Sequence, residues 1–96
     1  MAETIGRRDN GPDRDSALAL ALQALVWILS DDMRARRLLD LSGLTPDQLR
    51  SGAGDPAVLC EILAFLEAHE PDLVGAAEAL ECSPQTLIAA RRQLDL

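Results

Sequence analysis

Residues 56–70 read PAVLCEILAFLEAHE, and the architecture of the whole chain can be predicted from this segment. Wound at 3.6 residues per turn, this stretch is apolar on nearly every side. A helix of this kind has to be covered by its neighbours, so we expect it at the centre of a bundle. Asp55 is placed to cap the helix, and Pro56 occupies its first position, where a missing N–H costs nothing. A thin stripe of small or polar residues interrupts the apolar surface: Ala57, Glu61, Ala64 and Ala68.

The rest of the chain predicts an all-α fold, a compact bundle of five to six short helices around this central one. A capping Ser30 precedes the second helix, a capping box at Thr45–Gln48 opens the third, and Ser83-Pro84 opens the last. No glycine or proline separates the first two helices, so one bent helix is the alternative there. The first helix is predicted to begin near residues 13–16 and to end at about 29. The others are predicted to cover 31–41, 46–51, 71–81 and 84–94.

Apolar residues at helical spacing predict which side of each helix faces the core. For the first helix this spacing selects Leu18, Leu22, Leu25 and Leu29. The inward residues predicted for the other helices are Met33, Leu38, Leu41 and Leu49, then Leu73, Val74, Ala77 and Leu80, and finally Leu87, Ile88, Ala90 and Leu94.

Length and patterning predict one domain. The chain has 96 residues, and its first twelve show no apolar periodicity. We therefore expect a disordered N-terminal arm at 1–12 and a single helical domain at 13–96.

The charge favours a protein partner. All nine basic residues are arginines, against sixteen acids, which gives a net charge of −7. Such a chain is poorly suited to phosphate backbones or anionic lipid, so neither nucleic acid nor a membrane is an expected partner. The uncharged run at 17–29 is shorter than the ~20 residues of a membrane span and lacks the flanks of a signal peptide. We expect a cytoplasmic protein.

No residue pattern points to catalysis, to a metal or to a cofactor. Cys60 and Cys82 lie in apolar helical settings and read as buried free thiols. His69 is expected on the surface and matches no zinc spacing with the cysteines. No nucleophile is paired with a base by a known motif. We therefore predict that the protein is not an enzyme.

Arg34, Arg36 and Arg37 form the one basic cluster and are the candidate partner-binding residues. Asp32 and Asp40 stand four residues before and after Arg36, at the spacing of helical ion pairs. A solvated helix face is one reading of the cluster. A docking site for an acidic partner is the other.

The C-terminal segment, residues 71–94, has the layout of a helix-turn-helix corner. Its turn carries Glu81 where a left-handed glycine is usual. The helix-turn-helix layout makes a DNA-binding regulator the alternative function. The charge of residues 71–96, four carboxylates against two arginines, argues against it. The same corner pattern occurs 38 residues earlier, at 38–50. In the alternative, the base-reading side chains are Gln85, Thr86, Ala89 and Arg92.

Three motifs resemble a known family. They are LLDLSGLTPDQLR at 38–50, DPAVLCEILAFL at 55–66 and PQTLIAAR at 84–91. Together they are similar to small alphaproteobacterial proteins known only as a domain of unknown function (the 3572 family), over about residues 17–94. The chain departs from the family pattern in two places: Ala64 stands where an aspartate is expected before the Phe-Leu pair, and His69-Glu70 stands where an Asp-Glu pair is expected after it.

The resemblance implies a small, helical, cytoplasmic protein without assigned activity, and a signalling protein as partner. No catalytic residue carries over. Taken together, the sequence predicts a non-enzymatic protein-interaction or regulatory module. It leaves the identity of the partner and the oligomeric state open.

Overall fold

The computed structural model describes residues 12–95, which form six α-helices and no strand in that range. The predicted all-α bundle is confirmed. The predicted arm, 1–12, lies outside the described residues except for Pro12, whose carbonyl accepts a hydrogen bond from Gln93 at 3.2 Å. The helices are α1 (Arg14–Leu29), α2 (Asp32–Ser42), α3 (Pro46–Ser51), α4 (Pro56–Ala68), α5 (Glu70–Ala79) and α6 (Pro84–Leu94).

Three of the four predicted capping residues, Thr45, Asp55 and Ser83, set the start of a helix. Helix α2 is instead capped by Asp31, and the predicted cap, Ser30, ends α1. Asp31, Thr45, Asp55 and Ser83 each accept a hydrogen bond from a backbone N–H in the first turn of the helix that follows. The capping box at Thr45–Gln48 is complete. The break between α1 and α2 is also confirmed, with an angle of 117° between the two helices. Among the described residues, no single helix is long and apolar enough to cross a membrane, and α1 and α2 reach that length only as this bent pair.

Helix α4 lies at the centre, as its composition predicts. It packs against α1, α2, α5 and α6, and α1 and α6 also pack extensively against each other. Its exposed residues include Ala57, Glu61 and Ala68 from the predicted stripe. The buried ones are Leu59, Ile62, Leu63, Phe65 and Leu66.

The predicted inward side of α1 is wrong by about one position. Leu22 and Leu29 are 44% and 46% exposed, and of the four predicted leucines only Leu25 is buried. The residues that face the bundle are mostly alanines: Ala17, Ala21, Ala24, Leu25 and Ile28. Small side chains at the contact let α1 approach α4 and α6 closely, because the distance between helix axes follows the side chains between them.

Three other inward assignments are also wrong. Met33 and Leu41 on α2 are exposed, and so is Val74 on α5. Leu38 is the one buried residue of α2. Because α2 packs mainly against α1 and α4, only a narrow side of it is covered.

The two corners predicted from the sequence echo share their geometry. Gly43 has a φ of +77° and ends α2, and Glu81 has a φ of +59° after α5. A capping hydroxyl and a proline follow each, and the next inward leucines, Leu49 and Leu87, are both buried. After α5 the Cys82 N–H also donates to the Ala77 carbonyl at 2.9 Å, which is a Schellman end.

The turn between α3 and α4 is ordered by hydrogen bonds. The Gly52 N–H donates to Gln48 and its carbonyl accepts from Asp55, both at 2.8 Å. A Cβ at Gly52 would lie 2.7 Å from Val58 Cγ2 and 2.8 Å from the Gln48 carbonyl oxygen. Glycine is needed here because the backbone passes so close to its neighbours.

Candidate functional site

An apolar groove lies between α1, α2 and α3. Its volume is about 500 Å³, and Arg50 supplies the one charged side chain in its lining. Volumes of this size are typical of binding sites. The lining residues are Leu22, Leu25, Val26, Leu29, Leu39, Pro46, Leu49, Arg50 and Ala53.

The α1 wall of this groove is exposed. Val26 is 64% exposed, and Leu22 and Leu29 are nearly half exposed. The helix carries no charged residue between positions 17 and 29. Large aliphatic side chains clustered at the surface are typical of binding sites, whereas single ones are ordinary. We call the lining residues of the groove, together with the outward side of α1, the docking surface.

Sequence reasoning missed this surface because it assigned Leu22 and Leu29 to the core. The signal was available in the alanines: a helix with Ala at 17, 21 and 24 can bury that side and leave its leucines outside. Hydrophobicity alone does not rank the two sides, since both are apolar.

The end of the groove is braced where α1 meets α2. The Arg34 guanidinium lies 3.8 Å above the centre of the Trp27 ring. It also donates to the Trp27 carbonyl at 2.9 Å and to the Ser30 hydroxyl at 3.1 Å, and it pairs with Asp31 at 3.3 Å. These contacts satisfy a carbonyl at the C-terminus of α1 and fix the bend.

The three arginines of the predicted basic cluster have different surroundings. Arg34 forms the brace just described. Arg37 makes hydrogen bonds of 3.0–3.2 Å to both carboxylate oxygens of Asp72, which is buried, and so ties α2 to α5. Arg36 is exposed, and within residues 12–95 it forms neither of the predicted pairs with Asp32 and Asp40. Partner binding by this cluster stays a prediction.

The candidate DNA-reading residues on α6 are only partly available. Gln85 and Arg92 are exposed, whereas Thr86 and Ala89 are half-buried. The Thr86 hydroxyl is 2.9 Å from that of Ser83, within the cap of α6. A neighbouring cation, Arg91, is bound to Glu67, and this hydrogen bond raises the pKa of Arg91.

The two cysteines and the histidine, which were considered for catalysis or metal binding, pack against the bundle. Cys60 and Cys82 are free and half-buried rather than fully buried, and burial raises the pKa of both thiols, so they stay protonated at neutral pH. His69 is half-buried rather than on the surface, because its ring stacks on Phe65 with centroids 5.0 Å apart. In the described part of the chain, no three His, Cys, Asp or Glu residues lie close enough to hold a metal ion.

A known protein family matches the chain. The family described as "Protein of unknown function (DUF3572)" matches residues 14–95. The chain belongs to this family. The match covers all six helices and therefore both corners and the docking surface. No curated protein and no solved structure matches the chain.

Proposed function

We propose that this member of the DUF3572 family is a non-enzymatic protein-interaction module and that it binds its partner at the docking surface. The observation that carries this proposal is the exposed apolar wall formed by Leu22, Val26 and Leu29 beside a groove with one charged residue. Burying these side chains supplies free energy for association in proportion to the apolar area removed from water.

Rigidity supports the same function. The Arg34 brace fixes α2 against the end of α1, and the hydrogen-bonded Gly52 turn fixes α3 against the start of α4. A wall that is already ordered loses little conformational entropy when a partner binds.

A cytoplasmic location and a signalling partner stay predictions. The free thiols of Cys60 and Cys82 support a reducing compartment.

The DNA-binding alternative draws its support from the geometry of the α5–α6 corner, with its left-handed Glu81 and its capping Ser83. It is weakened by charge, because Arg92 is the one exposed arginine on α6. Non-specific affinity for a duplex comes mainly from cations that neutralise phosphates. We expect fluorescence anisotropy with duplex DNA to show no binding tighter than ~10⁻⁴ M at low salt.

The test is affinity capture from a lysate of the source cells with three proteins: wild type, Val26→Glu and Val74→Glu. Val74 is also an exposed valine, but it lies on α5 and does not line the groove, so its substitution is the matched control. Each captured protein is then purified and titrated against all three. We expect a partner that binds wild type and Val74→Glu alike and binds Val26→Glu at least tenfold more weakly.

Two outcomes would overturn the proposal. One is that the partner binds Val26→Glu as tightly as wild type, which would place docking elsewhere. The other is micromolar duplex binding that is lost in Arg92→Glu, which would make α6 a DNA reader.

A further inference from the structure

The outward side of α1 carries a regular stripe. Ala19, Leu22, Val26 and Leu29 are all exposed and follow one another at intervals of three, four and three residues. This is the spacing of the seam along which two helices pack with their axes about 20° apart. A stripe of this kind fits a helix better than an extended peptide.

From this stripe we infer that the docking surface receives a second copy of this chain, with α1 of one copy packed against α1 of the other. The inference rests on the proposed function, in that the same surface docks a protein, and it names the partner. A two-fold arrangement requires a surface patch to be complementary to itself. The stripe meets that requirement because apolar residues meet apolar residues whichever copy supplies them.

The charges beside the stripe also fit a second copy. The outward positions next to it, Gln23 and Ser30, are uncharged, so no like charges meet along residues 19–29 when two α1 helices pack together. The charged residues of α1, Arg14 and Asp15, precede this segment and are of opposite sign. In helix pairs that select a different partner, these flanking positions usually carry charges that set the choice.

The charges at the groove also cancel each other. Arg50 on its lining pairs with Asp47 at 3.1 Å, and both side chains are exposed. The pair presents one positive and one negative group from each copy. A basic partner, which the net charge of −7 would otherwise attract, meets no unpaired carboxylate in the groove lining.

The net charge gives the dimer a distinctive salt dependence. Two chains of −7 repel each other, and this repulsion is screened as the Debye length falls from about 10 Å at 0.1 M salt to about 3 Å at 1 M. An apolar contact is not weakened by this screening. The dimer should therefore strengthen as salt rises, the opposite of a complex held by charges.

The experiment is sedimentation equilibrium of the full chain over a range of protein concentrations, at about 0.1 M and about 1 M sodium chloride. We expect a monomer–dimer equilibrium with more dimer at the higher salt. Val26→Glu should weaken the dimer at least tenfold, because it places two carboxylates in the seam, and Val74→Glu should leave it near the wild-type value. Val26→Ser serves as a second seam variant if Val26→Glu fails to fold by circular dichroism.

A wild-type chain that stays monomeric at every concentration would overturn the inference. So would a dimer that weakens at high salt or that ignores both seam variants. If the chain is monomeric while the capture experiment still yields a partner sensitive to Val26→Glu, the inference fails and the proposed function stands. If the chain is monomeric and no such partner is captured, both fail.

Discussion

Helices α1 and α4 have similar apolar character, yet the fold treats them differently. Helix α4 is apolar on nearly all sides and is covered by four other helices. Helix α1 is uncharged from 17 to 29 but buries mainly its alanines and leaves Leu22, Val26 and Leu29 exposed. Each of the two helices packs against four others, so the number of neighbours does not distinguish them. An apolar composition predicts a need for cover, while the arrangement of the neighbours decides which sides are covered: all but one stripe of α4, but only the alanine-rich side of α1.

The largest expected effect lies in α4. Phe65→Ala removes a buried aromatic side chain and should lower the free energy of unfolding by about 3–5 kcal/mol. Equilibrium unfolding in urea measures this loss. Glu61→Ala, on the exposed stripe of the same helix, is the control and should stay within about 0.5 kcal/mol of wild type. If Glu61→Ala cost more than Phe65→Ala, the assignment of the two sides of α4 would be wrong.

A middle-sized effect should separate the two sides of α1. Ala21 is fully buried against the bundle, so Ala21→Leu forces extra volume into a close helix contact and should cost about 1–3 kcal/mol. Ala19→Leu makes the same change on the exposed side of the same helix and should cost little. Urea unfolding of the two variants gives the comparison. Equal losses for both would mean that α1 has no preferred inward side.

Much of this fold follows from the sequence, and the reasons are local. The starts of α3, α4 and α6 follow from Thr45, Asp55 and Ser83, because a capping side chain acts within a single turn of helix. The start of α2 was predicted one residue early, with Ser30 as its cap in place of Asp31. The centrality of α4 follows from its lack of a polar side. The helix-turn-helix layout placed Glu81 where a left-handed glycine is usual, and Glu81 does have a positive φ, although the helix before it ends at Ala79 and not at the predicted residue 81.

The features that were not predicted depend on distant parts of the chain. The two sides of α1 are both apolar at helical spacing, and only the approach of α4 and α6 decides between alanines and leucines. The pair of Arg37 with Asp72 joins residues 35 positions apart, beyond the reach of any helical spacing rule. The groove combines residues of three helices, so it appears only once their packing is known.

The smallest expected effect on stability is on the outward side of α1. Val26→Ser should change the free energy of unfolding by no more than about 0.5 kcal/mol, because the side chain is mostly exposed in the single chain. The measurement is made at low protein concentration, since association would add stability by mass action. A loss of about 2 kcal/mol or more would mean that Val26 belongs to the core.

Two-dimensional NMR of backbone amides, recorded across a range of protein concentrations, shows directly whether the outward side of α1 docks a second copy. We predict concentration-dependent shifts at residues 19–29 and at Leu49 and Arg50 on α3. The amides of Ala57 and Glu61 on the α4 stripe should keep their positions. Shifts confined to the α4 stripe or to Gln85 and Arg92, or no shift at any concentration, would contradict the claim.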